Sequence, residues 1–156
     1  MTTPQFGSPE PGRDYPDRPA AFVIVKRDGR IATVRVSYAG GGGRLDLPGG
    51  GLDPGETARQ AAMRECGEEA GLRVEPDAEP FTAADHYFLG HDEETVNTRG
   101  LFFAARLVAE APELKIEDDH ALAWITPHEA VLALSRDSHV WAVAAWLRFA
   151  RAAANG

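Results

Sequence analysis

Residues 47–72 read LPGGGLDPGETARQAAMRECGEEAGL, and this stretch decides the fold. If its second half is a helix, Glu65, Glu68 and Glu69 fall at positions i, i+3 and i+4 and share one face. Each like-charged pair at that spacing costs about 0.2–0.5 kcal/mol. A pair of adjacent glutamates is usually a solvated helix face, but a third on the same face also suits a hard divalent cation such as Mg²⁺ or Mn²⁺.

The residues around the glutamates predict that helix. Thr57 can cap its first turn, and Gln60 lies three residues later, as a capping box requires. Gly71 supplies a left-handed residue at the end. The helix is therefore expected from Thr57 to Ala70, with the glutamates in its last turns.

The same stretch resembles the Nudix (MutT-like) hydrolase family, whose signature is G-x5-E-x7-R-E-U-x-E-E-x-G-U, with U an apolar residue. Every position of the signature is met, by Gly50, Glu56, Arg64, Glu65, Cys66, Glu68, Glu69, Gly71 and Leu72. Cys66 fills an apolar position more often held by Leu, Ile or Val. A free cysteine behaves as a small hydrophobic residue, so we interpret it as core.

The resemblance implies a role for each residue of the signature. Glu65, Glu68 and Glu69, with the carbonyl of Gly49, would hold Mg²⁺ or Mn²⁺. Arg64 would orient a carboxylate through paired hydrogen bonds, and Glu56 could close that network from the preceding loop. The catalytic set is thus Glu68, Glu65, Arg64 and Glu56, and the glutamate that serves as the base varies within the family.

Apolar segments predict strands on both sides of the helix. The segments AAFVIVK and IATVRVSY are joined by Asp28-Gly29, a hairpin signal. Further strands are expected at LRVEP, PFTAADHYFLG, RGLFFAARLVAE and ALAWIT, and helices follow Pro127 and Asp137. This order predicts an α/β/α sandwich around a mixed β-sheet. The Nudix domain is expected over residues 19–153, after a flexible or loosely draped arm at residues 1–18.

Other candidate site residues lie outside the signature. The family pattern places a further carboxylate in the loop ahead of a strand that carries a Trp, and Asp118 or Asp119 ahead of Trp124 is the preferred choice. Glu93 and Glu94 form the competing acidic loop. Arg35 and Arg44 could meet substrate phosphates, and Tyr87 could stack on a base. His120 is expected to be an ordinary exposed loop residue.

Composition narrows the class of protein. The chain has 156 residues, a formal net charge of −8 and one cysteine. The excess of acidic over basic residues argues against binding nucleic acid duplexes. A single cysteine excludes an intrachain disulfide. Neither a signal peptide nor a membrane span is evident. We therefore predict a cytoplasmic protein with a small nucleotide-like substrate and no membrane partner, and leave a homodimer open.

The leading functional hypothesis is a divalent-metal-dependent hydrolase. It would cleave the diphosphate linkage of a nucleoside diphosphate joined to another group, or of a (d)NTP, by attack of water. The alternative is a non-catalytic nucleotide-binding module, which would usually have lost a carboxylate of the signature. Isomerase chemistry of the isopentenyl diphosphate type calls for a cysteine outside the signature, and the chain has none. The sequence names no particular substrate.

Overall fold

The computed structural model describes residues 2–154 and confirms the predicted α/β/α sandwich. Its strands are β1 (Gln5–Phe6), β2 (Asp17–Arg27), β3 (Arg30–Ser37), β4 (Gly43–Asp46), β5 (Gly49–Gly51), β6 (Leu72–Pro76), β7 (Thr82–Leu89), β8 (Thr95–Glu110) and β9 (His120–Ile125). Its helices are α1 (Ala58–Ala70), α2 (Pro127–Ala133) and α3 (Asp137–Ala154). A 3-10 turn, Pro112–Leu114, precedes the loop that leads to β9.

The sheet is mixed, as expected. Its main path runs β1-β7-β8-β2-β3-β4, while β5 pairs with β2, β6 with β8, and β9 with β3. The β1–β7 and β2–β8 pairs are parallel and the remaining pairs are antiparallel. The hairpin between β2 and β3 turns at Asp28 and Gly29, both with positive φ, as the Asp-Gly signal predicts.

Strand β2 is buried on both faces and divides the core in two. Ala20, Phe22 and Ile24 pack in one cluster with residues of α2 and α3. Ala21, Val23 and Val25 point the other way and join a cluster that contains Ala61, Ala62, Cys66 and Ala70 of α1. Because successive side chains of a strand alternate in direction, one apolar strand supports a helical layer on each face.

Helix α1 has the predicted ends. The Thr57 hydroxyl accepts a hydrogen bond from the Gln60 amide, and the Gln60 side chain accepts one from the Thr57 amide. Gly71 ends the helix with φ +65°. The buried face of α1 consists largely of small residues, so the helix lies close to the sheet. This packing fixes the position of the glutamates relative to the strands.

The segment expected to be a loose arm makes specific contacts in the structure. Strand β2 already begins at Asp17, and β1 pairs with Asp85 and His86 of β7. The ring of Phe6 lies 6.2 Å from that of Trp141, and Tyr15 packs edge-on against Tyr87. Its prolines and charged residues make the segment resemble a linker in sequence. Its backbone hydrogen bonds, however, go to strands β7 and β8, which lie far along the chain, so the sequence of the segment does not reveal them.

Removing residues 2–16 should therefore destabilise the fold. Loss of the contacts of Phe6 and Tyr15 should lower the free energy of unfolding by about 2 kcal/mol, or the Tm by roughly 5 °C. Differential scanning calorimetry of the truncated and full-length chains measures the effect. Deletion of only Thr2 and Thr3, both exposed, is the control, and an unchanged Tm for the longer deletion would instead support the loose arm.

In the part of the chain that the structure describes, none of the helices combines the length and the apolar character needed to cross a membrane.

Candidate active site

Arg64 organises the carboxylates of the signature. Its Nε and Nη2 donate to the two oxygens of Glu56, at 2.8 and 2.9 Å. Its Nη1 donates to Glu65 at 2.9 Å and to Glu68 at 3.1 Å. A further bond reaches the carbonyl of Gly51 at 3.1 Å. The planar guanidinium thus ties the short glycine segment Gly49–Gly51, termed the glycine loop, to the glutamate face of α1.

The hydrogen bonds of this network shift the pKa values of Glu56 and Arg64 in opposite directions. Hydrogen bonds from Arg64 lower the pKa of Glu56 to about 2. The pKa of Arg64 is raised above its ordinary value, first by its hydrogen bond to Glu56. Glu56 is therefore a fixed anion that holds Arg64.

Glu69 joins the helix to the glycine loop. Its side chain accepts a 3.0 Å hydrogen bond from the Gly49 amide, and its other oxygen lies 3.2 Å from Nε2 of His120. Burial raises the pKa of Glu69, against the opposing contacts with His120 and Gly49. Gly49 has φ +150°, and a Cβ there would lie 2.2 Å from the carbonyl oxygen of Ala21, so the loop requires glycine at this position.

The glutamates carry more negative charge than Arg64 offsets. The pKa of Glu65 is raised, first by burial and then by repulsion from Glu69, although Arg64 acts in the opposite direction. A Cβ on Gly50 would lie 2.9 Å from the carboxyl carbon of Glu65, so the bare loop backbone leaves room beside that carboxylate. Crowded carboxylate oxygens next to exposed loop backbone form a donor set that fits a divalent cation.

Replacing Glu65 with Gln should stabilise the metal-free protein at neutral pH. A raised folded-state pKa means that the folded protein holds more protons than the unfolded chain, so stability falls as pH rises from 4.5 through the raised pKa. The variant lacks this loss and should gain at least about 0.5 kcal/mol over the wild type at pH 7.5. Thermal denaturation in EDTA at pH 5 and 7.5 measures it.

The gain should shrink towards pH 5, where wild-type Glu65 is increasingly protonated in the folded state. Glu79→Gln, at an exposed glutamate outside the cluster, is the matched control. If Glu65→Gln is less stable than the wild type at pH 7.5, the glutamates do not carry more negative charge than Arg64 offsets.

Glu65 and Glu69 border a cleft with an inner and an outer part, whereas Glu68 lines neither part. The inner part, about 290 Å³, is lined by residues that include Gly49, Gly50, Gly51, Glu65, Glu69, Glu117, Arg18, Arg44, Asp46, Phe88 and Arg136. The outer part, about 200 Å³, is lined by residues that include Tyr38, Gly90, His91, Asp92, Glu94 and Asp119. Arg18, Arg44, Phe88, Val96 and His120 border both parts, so the two are continuous.

The acidic loop ahead of β9 reaches the cleft through Asp119, one of the preferred pair, and through Glu117, which was not in that pair. Glu117 lines the inner part beside the glutamates, and Asp119 lines the outer part. Asp118 is exposed and lines neither. Oxygens of Glu117 and Asp119 and a ring nitrogen of His120 lie within 4.8 Å of one another. The geometry favours Glu117 over Asp118 as the additional carboxylate, because the turn points successive side chains in different directions.

Accordingly, Glu117→Gln should lower kcat/KM about tenfold, a loss of roughly 1.4 kcal/mol of transition-state stabilisation. Asp118→Asn, one residue away on the same loop, is the matched control and should behave like the wild type. Steady-state kinetics at saturating metal separates the two. Equal losses in both variants would mean that the charge of the loop matters rather than its geometry.

Two of the three proposed substrate contacts lie elsewhere. Arg35 is exposed and borders a separate depression behind the glycine-rich loop at residues 39–43. Tyr87 packs against Tyr15 and is not among the residues that line the cleft, whereas its neighbour Phe88 is. In this part of β7, the residue that faces the cleft is therefore Phe88 and not Tyr87. Arg44 lines both parts of the cleft, as proposed.

Several cleft residues carry no signal in the sequence. Asp46 is only 5% exposed, and it holds Arg44 at 2.6 Å and Arg136 at 3.4 Å. Burial alone would raise the pKa of Asp46, but Arg136, His139 and Arg44 together bring it below its ordinary value. The guanidinium of Arg136 lies 4.0 Å from the ring centre of Phe88.

His120 and Arg18 were also missed. The His120 side chain is only 12% exposed, and its contact with Glu69 raises its pKa to about 9. Arg18 comes from the segment that was expected to be a loose arm. The inner cleft that Glu65 and Glu69 border is therefore also lined by cationic side chains, which come from segments distant in sequence.

The comparison with protein families agrees with this geometry. The model of the NUDIX domain matches residues 16–147, which is most of the chain. The chain belongs to the Nudix family. The match contains the glycine loop, the Arg64 network, the loop of Glu117 and the cleft between them.

Individual members of the Nudix family are similar to this chain in sequence or in structure. A MutT-like protein of Streptomyces ambofaciens is 33% identical over 113 residues, or 70% of this chain and 63% of that relative's own length. A CTP pyrophosphohydrolase of Escherichia coli is 30% identical over 111 residues, 70% of this chain and 76% of the relative. The structure of a NUDIX hydrolase from Nitrosomonas europaea superposes with a TM-score of 0.71 at 19% identity, over 85% of this chain and 89% of that one, and this likeness supports the fold.

Proposed function

We propose that this Nudix protein is a divalent-metal-dependent pyrophosphohydrolase. It would cleave the diphosphate linkage of a (d)NTP, or of a nucleoside diphosphate joined to another group, by attack of water. One observation supports the proposal: Glu65, oriented by Arg64, and Glu69 lie beside the glycine loop in a cleft that cationic side chains also line. Phosphoryl chemistry depends mainly on positioning and electrostatics, so it needs no nucleophilic side chain.

The metal would be Mg²⁺ or Mn²⁺. Glu65, Glu68 and Glu69 would hold it with the carbonyl of Gly49, and Glu117 would contribute from the loop. These oxygens fit such an ion because burial already disfavours the charges of Glu65 and Glu69, and repulsion from Glu69 adds to this effect at Glu65. When bound, a divalent ion offsets phosphate charge and makes water a better nucleophile.

The residues of the chain then position the substrate. Glu56 fixes Arg64, and Arg64 sets the directions of Glu65 and Glu68. The glycine loop lets phosphate oxygens approach the backbone closely. Arg44 and Arg136, fixed by Asp46, would attract the anionic or carbonyl-rich part of the substrate, and the attacking water would lose its proton to one of the signature glutamates.

The decisive experiment is a substrate panel assayed with the purified full-length chain. CTP, other (d)NTPs, ADP-ribose and nucleotide sugars are incubated with Mg²⁺, with Mn²⁺ and with EDTA, and the products are resolved by chromatography. We expect metal-dependent release of a nucleoside monophosphate from at least one class. Turnover that survives chelation would refute the metal mechanism, and tight nucleotide binding with no turnover would favour the binding module.

A further inference from the structure

The N-terminal segment of the chain lies almost wholly outside the family match. Residues 4–17, which we term the N-terminal strap, run along the β7–β8 hairpin, and the match begins only at residue 16. Asn97 holds the strap at both ends. Its amide donates to the carbonyl of Pro16 at 2.8 Å, and its side chain accepts from Gln5 at 3.0 Å. Asn97 is 5% exposed, so this closure is protected from water.

The middle of the strap holds the loop between β7 and β8. Arg13 donates to the carbonyl of Glu93 at 2.5 Å, and the hydroxyl of Thr95 donates to the carbonyl of Asp14 at 2.6 Å. Glu93 has φ +68°, a left-handed conformation that a residue with a Cβ rarely adopts. Such a conformation persists when surrounding contacts impose it, and the contact with Arg13 is made at this residue.

The loop held in this way forms part of the outer cleft. Gly90, His91, Asp92 and Glu94 all line it. The ring of His91 stacks on Tyr38 of the loop after β3, with centroids 4.7 Å apart and planes within 5°. The position of the β7–β8 loop therefore sets the width and the chemistry of the cleft at the end away from the glutamates.

We infer that the N-terminal strap is a specificity element that positions the β7–β8 loop against the substrate. This inference rests on the proposed function. The part of the nucleotide that lies away from the scissile diphosphate would bind in the outer cleft. Arg13 acts through the Glu93 carbonyl and is a positioning residue. Glu65 and Glu69 line the inner part of the cleft, so the strap should govern binding and leave the chemical step unchanged.

The first test is kinetic. Arg13→Ala in the full-length chain should raise KM about fivefold for the best substrate of the panel, with kcat within about twofold of the wild type. The control is Arg106→Ala. Arg106 is an exposed arginine of β8 and forms an ion pair with Glu75. For a chain without turnover, the Kd of CTP, measured by calorimetry, replaces KM. An unchanged KM or Kd, or an equal effect in the control, would overturn the inference.

The second test does not depend on activity. Hydrogen–deuterium exchange of backbone amides 91–95 should speed up about tenfold in Arg13→Ala and stay unchanged in Arg106→Ala. Exchange that rises across the whole sheet would mean that Arg13 only stabilises the fold, which also overturns the inference. Faster local exchange and weaker CTP binding in a chain without turnover would refute the proposed hydrolase and retain the strap as a binding determinant.

Discussion

Replacing Glu69 with glutamine should lower kcat by roughly a thousandfold, equivalent to about 4 kcal/mol of transition-state stabilisation. Glu69 is 8% exposed and lies against both the glycine loop and His120. Glutamine keeps the shape and can still accept the hydrogen bond from the Gly49 amide, but it removes the charge that would attract a cation. Single-turnover kinetics with Mg²⁺ isolates the chemical step.

Two measurements separate this loss from misfolding. The Tm in EDTA should not fall, because burial already disfavours the charge of Glu69. The affinity for Mn²⁺, measured by calorimetry, should drop together with kcat. A Glu69→Gln protein that retains near-normal kcat would show that the buried glutamate is structural and would leave the proposed mechanism without its central ligand.

Arg64→Ala should combine a catalytic loss with a loss of stability. It leaves the carboxylates of Glu56, Glu65 and Glu68 without their shared cation, and breaking a partly buried ion pair from one side costs about 3 kcal/mol. We expect kcat to fall by at least about a hundredfold, since the glutamates lose their orientation. Chemical denaturation at pH 7.5 and steady-state kinetics on the same preparation report the two effects.

Arg59→Ala is the matched control for this variant. Arg59 lies on the same helix and donates to the carbonyl of Pro76, away from the glutamates. Its loss should cost little stability and leave kcat unchanged. If the two arginine variants behave alike, the network around Arg64 contributes no more than an ordinary surface contact of the helix, and its assignment as the organiser of the site is wrong.

Local sequence was enough for the central unit. The capping box of Thr57 and Gln60, the end at Gly71 and the spacing of the glutamates all depend on residues within one or two helical turns. The structure has each of them as predicted. The apolar part of β2, residues 20–25, was equally predictable as a strand from its run of apolar residues, although its start at Asp17 was not. Such features need no knowledge of distant contacts.

Errors arose where a side chain's direction depends on the whole fold. The alternation of β7 offers His86 and Phe88 to one side and Tyr87 to the other, and pattern alone does not say which side meets the cleft. In the acidic turn, the structure turns Glu117 towards the glutamates and leaves Asp118 exposed. Arg35 and Arg44 resemble each other in sequence, but only Arg44 is aligned by Asp46.

By itself, the sequence determined the sandwich, the helix of the signature and the identity of its glutamates. These follow from local hydrogen bonding and apolar periodicity, which are properties of short segments. Tertiary structure alone decided that Asp46 aligns Arg44 and Arg136, that Glu117 borders the inner cleft, and that residues 4–17 hold the β7–β8 loop. Each of these joins groups far apart in the chain, and such contacts form only after the β-strands have paired and the helices have packed on both faces of the sheet.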